Sequence, residues 1–171
     1  MSKPDFPEEH GRLYFLNESG DLSASEYQRE ASAVTRQHVA AIEESPDNPD
    51  WVFAGMPVLV LRTIGRRSGR EHKVALPYWD DPEGRRIIVG SWSGLPQHPS
   101  WYLNLADRNV NPEVLVTEHA RRVWAEARIL EGADRQATWA ALVVERPLYT
   151  LHQSRTDRQL PLVHLAEVRP A

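Results

Sequence analysis

A mainly β domain with flanking helices, an α+β arrangement closed as a barrel or a sandwich, is the fold class this 171-residue chain predicts. Six short segments carry that expectation: 57–64, 72–79, 85–91, 113–118, 123–130 and 160–168 are β-branched or alternating. Turns rich in Gly, Pro or Asp separate them, such as Asp80-Asp81-Pro82-Glu83-Gly84. The second observation is that two helical pieces interrupt the strands, a short one opening at Pro99 and a longer one over 133–145 that stops before Pro147. The third is composition: 41% hydrophobic and 26% charged residues describe a soluble globular domain long enough to bury a core.

From the N-terminus, residues 1–22 read as a polar lead-in. Residues 23–45 then read as a helix, because Ser23 and Glu26 have capping-box spacing and Tyr27, Ala31, Val34, His38, Ala41 and Ile42 recur on one face. Ser45-Pro46-Asp47-Asn48-Pro49-Asp50 stops it, and the helix is expected as a lid or flank, with His38 a packed histidine. Residues 55–171 are expected to form the strand-rich body of the fold, in a single-domain protein overall. No apolar run reaches the ~20 residues of a spanning helix, so no integral membrane segment is expected. The absence of cysteine excludes disulfides, zinc thiolates and thiol catalysis, and no metal site is expected. The chain reads as cytoplasmic, with membrane association left open.

Residues 1–54 hold 11 acids and 4 bases, giving −7, whereas residues 55–171 hold 13 acids and 16 bases, giving +3. Anion binding is therefore expected in the second part. Its focus is the run Gly65-Arg66-Arg67-Ser68-Gly69-Arg70 after the first strong strand. The glycines allow a tight turn, Ser68 offers a hydroxyl, and the guanidinium groups can fork onto phosphate or carboxylate oxygens. A solvated basic turn is the other reading. The basic cluster is too local for a nucleic-acid surface.

A second constellation starts where a strand ends in Ser91 and runs through Trp92, Ser93 and Gly94 to a helical turn that presents Trp101 and Asn104 three residues apart. An aromatic wall, an amide that donates and accepts, and loop amides suit a flat polar heterocycle. Trp101 and Leu105 as core anchors, with Asn104 as a local cap, is the alternative. Gly90-Ser91-Trp92-Ser93-Gly94 carries tryptophan where a nucleophile elbow requires serine, which sets hydrolase chemistry aside.

Four blocks in order resemble the deazaflavin-dependent nitroreductases, split β-barrel reductases that use coenzyme F420: residues 57–70; Ala75-Leu76-Pro77-Tyr78; Val89-Gly90-Ser91 through Trp101-Tyr102-Leu103-Asn104-Leu105; and Pro147-Leu148-Tyr149 with residues 158–163. The resemblance implies a split barrel of the FMN-binding-protein or pnp-oxidase type. It also implies hydride transfer from reduced F420 to a quinone, enone, nitroaromatic or natural-product intermediate. Carried over by position, Gly65, Arg66, Arg67, Ser68, Gly69 and Arg70 would take the cofactor's phosphate and acidic tail. Leu76, Pro77 and Tyr78 would line its ring, Ser91, Trp92, Ser93 and Gly94 would contact ring or linker, and Trp101 and Asn104 would complete the wall. Tyr149 and His152 would face a small-molecule substrate, with the proton coming from Ser91, Tyr149 or solvent. A homodimer is compatible with this reading.

Three features depart from the family pattern. Trp92 and Ser93 stand where lysine and glycine are common, the 106–112 link is longer, and Arg146 and His152 replace expected tyrosines. Arg146 and His152 are therefore expected to make the mouth cationic and to favour acidic acceptors, with His152 titrating near its ordinary pKa of ~6.5. An FMN-using barrel and a non-catalytic carrier of cofactor or lipid-like ligand are the other function classes.

Overall fold

The computed structural model describes residues 23–44, 52–53 and 55–171. The predicted stop at 45–50 and the lead-in over 1–22 lie outside the described residues. Helix α1 (Ala24–Glu44) starts at a reciprocal cap: the Ser23 amide donates to the Glu26 carboxylate at 2.9 Å and the Glu26 amide donates to Ser23 Oγ at 3.3 Å. The Ser23 hydroxyl also donates to the Glu26 carboxylate at 2.5 Å, and this bond, with the one from the Ser23 amide, holds the Glu26 carboxyl below its usual range.

Strands β1 (Val52–Phe53), β2 (Met56–Ile64), β3 (Glu71–Asp80) and β4 (Arg86–Val89) follow, then helix α2 (Ser100–Ala106). Strands β5 (Val114–Glu118) and β6 (Arg121–Ile129) lead to helices α3 (Gly132–Glu145) and α4 (Leu148–Ser154) and to strand β7 (Leu162–Pro170). All pairings are antiparallel, in the order β1-β2-β3-β4-β7-β6-β5. Strand β5 also pairs back onto β2, with Leu61 opposite Val116, so the six strands β2 to β7 close into a barrel. The short strand β1 was not expected; it only folds back onto Met56 and Pro57 through Gly55, whose φ is 74°.

Side-chain alternation explains why β2 carries an unbroken apolar run. Leu59 and Leu61 point into the barrel with Ile88, Val163 and Leu165. Val58 and Val60 point outward, where Val39 and Ile42 of α1 cover them. A strand covered on both faces has no solvent side to keep polar. Each fully buried aliphatic side chain contributes roughly 1.5–3 kcal/mol. On the opposite flank, Leu142 of α3 and Tyr149 of α4 cover Trp79, Ile87 and Leu162. Helix α4 did not stand out in the sequence, since seven residues after Pro147 show no helical period. Among the described residues no helix is long and apolar enough to cross a membrane.

Candidate functional site

A cavity of about 520 Å³ opens between the barrel and α1. Strand β3 supplies one wall through Leu76 and Pro77, α2 supplies Trp101 and Asn104, the turn after β4 supplies Ser91, Trp92 and Ser93, and α4 supplies Tyr149 and His152. Helix α1 forms the roof. Tyr27, Ala31 and His38 of its predicted apolar face line the cavity, and so do Gln28, Ser32, Thr35 and Arg36, which form an adjacent polar face. Their i, i+4, i+7, i+8 spacing was the available signal.

The 65–70 turn adjoins the cavity at its Asn104 and His72 wall. Gly69 donates to the Gly65 carbonyl at 2.8 Å and Gly65 donates to the Arg70 carbonyl at 2.7 Å, closing the loop on itself. Gly69 has φ 66°, a conformation that favours glycine, and a Cβ on Gly65 would stand 2.4 Å from Ser68 Oγ and 2.7 Å from the His72 ring, so a side chain there would displace both. Asn104 anchors the turn to α2. Its Oδ1 accepts from the Arg66 amide at 3.2 Å and the Arg66 guanidinium at 3.4 Å, while its Nδ2 donates to Thr63 Oγ1 at 3.2 Å. Asn111 clamps the same corner by bonding both backbone groups of Ile64 and the Asn104 carbonyl. With its amide engaged on both sides at 4% exposure, Asn104 acts as a positioning residue under the cavity floor. Ser68 is turned back toward the Arg70 amide and His72. The guanidinium groups of Arg67 and Arg70 are exposed and make no ion pair among the described residues.

Trp92, Ser93 and Gly94, expected as a loop, form a braced 3-10 turn. Their φ values of 42°, 52° and 80° are all left-handed. A Cβ on Gly94 would lie 2.2 Å from the His152 carbonyl oxygen, which explains glycine there. Arg158 holds the turn: its guanidinium donates to the carbonyls of Leu95 at 2.7 Å, Gly90 at 2.9 Å and Ser91 at 2.7 Å. From above, the Tyr27 hydroxyl shares a hydrogen bond with Ser93 Oγ, and Tyr27 packs with Ala31, Leu95 and Trp92. Neither Arg158 nor Tyr27 was singled out as a site residue from sequence, because both act on a segment more than sixty residues away.

Three expectations are corrected. Tyr78 does not line the cavity; it lies deeper along β3 on the core-facing side, donates its hydroxyl to Glu118 and lies under Arg86, whose guanidinium carbon is 4.2 Å from the ring centre. Burial and the Glu118 carboxylate raise its pKa. Arg146 closes the end of α3, donating its amide to the Leu142 carbonyl at 2.7 Å, and is absent from the cavity wall because Pro147 turns the chain so that Leu148, Tyr149 and His152 face inward. His152 is not cationic near neutral pH. Burial, with the Arg155 charge adding to it, pushes its pKa down to about 4, and its Nδ1 is buried without a partner. Its ring stands edge-on to Tyr149, with centroids 5.9 Å apart.

The donor set fits a flat anionic cofactor. Leu76, Pro77 and Trp101 offer apolar walls, no Asp or Glu among the described residues lines the cavity, and the arginine turn adjoins it through Asn104 and His72 without itself lining it. Among the described residues no cluster of side chains could hold a metal ion. A closed antiparallel barrel with this roofed cleft and arginine turn is the arrangement of a split-barrel oxidoreductase. The family model for F420H2-dependent quinone reductases matches residues 33–167, and the chain belongs to that family. An F420H2-dependent quinone reductase of Mycobacterium tuberculosis is 31% identical over 112 residues, covering 64% of this chain and 72% of that protein. The solved F420-H2 dependent reductase FDR-A is 34% identical with a TM-score of 0.53, covering 64% of this chain and 93% of that one. A structure described as a domain-swapped dimer is 30% identical with a TM-score of 0.55, covering 84% of this chain and 99% of that one. The protein is thus an F420-dependent oxidoreductase on a split barrel.

Proposed function

We propose that this protein reduces a flat, electron-poor acceptor of the quinone class, held beside reduced F420 in the cavity under α1. The observation that carries this reading is one continuous cavity with apolar side walls and, among the described residues, no carboxylate, joined by Asn104 to a turn whose arginines have no acidic partner among those residues. In it Leu76, Pro77 and Trp101 flank the deazaflavin ring, and Arg66, Arg67 and Arg70 bind the phosphate and acidic tail. Bound F420H2 supplies a hydride, and the chain's own work is positioning and exclusion of water. Ser91, a lining residue whose hydroxyl makes no hydrogen bond among the described residues, would hold or deliver the accompanying proton. Tyr149 forms the acceptor's edge wall. His152 stays neutral and does not supply that proton.

The relatives' names support the acceptor class, and a dimeric structural neighbour supports assembly as a homodimer, which sedimentation of the purified protein tests. Cytoplasmic residence and the organisation into lead-in, helix 23–45 and cofactor domain 55–171 belong to the same reading. The deciding experiment mixes purified protein with F420H2 and a naphthoquinone, following loss of the reduced and return of the oxidised cofactor. Catalysed oxidation that requires both partners is expected. Tight binding of F420 without turnover on quinones, enones or nitroaromatics would replace the reading with a carrier, and binding of FMN in preference to F420 would overturn the cofactor assignment.

A further inference from the structure

We infer that the roof of the cavity is a subsite for an anionic group on the acceptor, with Arg36 as its charged ligand and Ser32 and Thr35 as hydroxyl donors beside it. This rests on the reading that cofactor and acceptor share the cavity. Acceptor charge selection was expected from Arg146 and His152; the structure removes both and brings a different cation into the cavity.

Among the described residues, Arg36 and Lys73 are the two Lys or Arg residues on the lining, and no Asp or Glu of those residues lies on it. They differ in their surroundings. Lys73 already pairs with Glu43 at 2.6 Å and lies 3.7 Å from Glu71, so its charge is largely balanced. Arg36 has no ion pair among the described residues. Its neighbours one helical turn back and one residue back, Ser32 and Thr35, also line the cavity, so a charge and two hydroxyls converge on the same space. A planar guanidinium there can fork onto a carboxylate or an ionised enol.

The helix also acts as a ruler. Tyr27 fixes its first turns to Ser93 and Glu43 fixes its last turn to Lys73. At 1.5 Å per residue, Arg36 sits about 13 Å from the Tyr27 end and about 10 Å from the Glu43 end. The lining residues of α1 run from Tyr27 to His38, so Arg36 stands toward the C-terminal end of the roof, on a different element from the arginines of the 65–70 turn that suit the cofactor tail. A cation at that place discriminates between acceptors rather than anchoring the cofactor.

The test pairs a naphthoquinone carboxylate with its methyl ester. With saturating F420H2, wild type is expected to favour the acid by about five- to tenfold in kcat/KM, the effect of one partly exposed charged contact. Arg36→Gln should bring the acid-to-ester ratio near one, mainly through KM, and Arg36→Lys should keep part of it. Direct binding of the acid, read from quenching of tryptophan fluorescence, should weaken in Arg36→Gln to the same extent, whereas the F420 dissociation constant should change less than about twofold. The preference should also shrink as salt rises. Equal acid-to-ester ratios in wild type and Arg36→Gln would overturn the subsite, as would a parallel loss of F420 affinity, which would assign Arg36 to the cofactor. Both results leave ester reduction by F420H2 measurable, so they are distinct from failure of the quinone-reductase reading, in which neither acceptor turns over.

Discussion

Replacing Arg158 with alanine tests how the cofactor-side turn is held in its left-handed conformation. Its guanidinium supplies the bonds to the carbonyls of Gly90, Ser91 and Leu95 and also approaches His98 Nδ1 at 3.3 Å. Burial lowers the pKa of this arginine, as expected for a cation drawn from water to serve carbonyl dipoles. A charge-assisted bond contributes roughly 1.5–3 kcal/mol, but the site is half-buried and water can replace part of what is lost. We therefore expect Arg158→Ala to cost about 3 kcal/mol, or roughly 6–12 °C in Tm for a domain of this size. Release of the strain at Trp92 and Ser93 would then let the turn relax into the cavity, so F420 affinity should fall with stability. Arg158→Lys can satisfy one carbonyl at a time and should recover less than half of either loss. Thermal unfolding by circular dichroism, together with F420 fluorescence titration, makes the measurement. A Tm within about 2 °C of wild type and unchanged F420 affinity would refute the brace.

Other outcomes follow from the same geometry. His152 has a folded pKa of about 4, below the ~6.5 of an unfolded histidine, so its contribution to stability is fully present above pH ~6.5 and is lost as pH falls through 4. Acid unfolding of His152→Phe should show a shallower loss over that window, and turnover of wild type should show no inflection near pH 6.5 that the substitution removes. Asn104→Ala should lower Tm by an amount equivalent to about 1–3 kcal/mol and weaken F420 binding together, because the amide joins Thr63 to Arg66; a fall in affinity at constant Tm would instead make it a direct ring contact. Arg70→Ala should weaken F420 binding more at low than at high salt, since an exposed phosphate contact is screened; equal affinity to wild type at all ionic strengths would take the turn out of the cofactor site.

The six barrel strands were legible in the chain because their physical causes are local: a run such as Val58-Leu59-Val60-Leu61 is apolar on both sides, and Gly- and Pro-rich turns mark where pairing ends. The α1 cap was legible for the same reason, as Ser23 and Glu26 satisfy each other within one turn. The arginine turn, with Gly65 and Gly69, could be read as an anion loop from residue chemistry alone. Tertiary structure decided the rest. Tyr78 was captured by Glu118, forty residues away, and left the cavity. His152 lost its ordinary pKa to burial among α4, Tyr149 and the Trp92–Gly94 turn, a desolvation no local pattern encodes. Arg158 and Tyr27 became part of the site only because closing the barrel brings distant segments onto the turn after β4. Which residues of α1 meet the cavity depends on what lies beneath the helix, so Arg36 acquired its place from the barrel rather than from its neighbours in sequence.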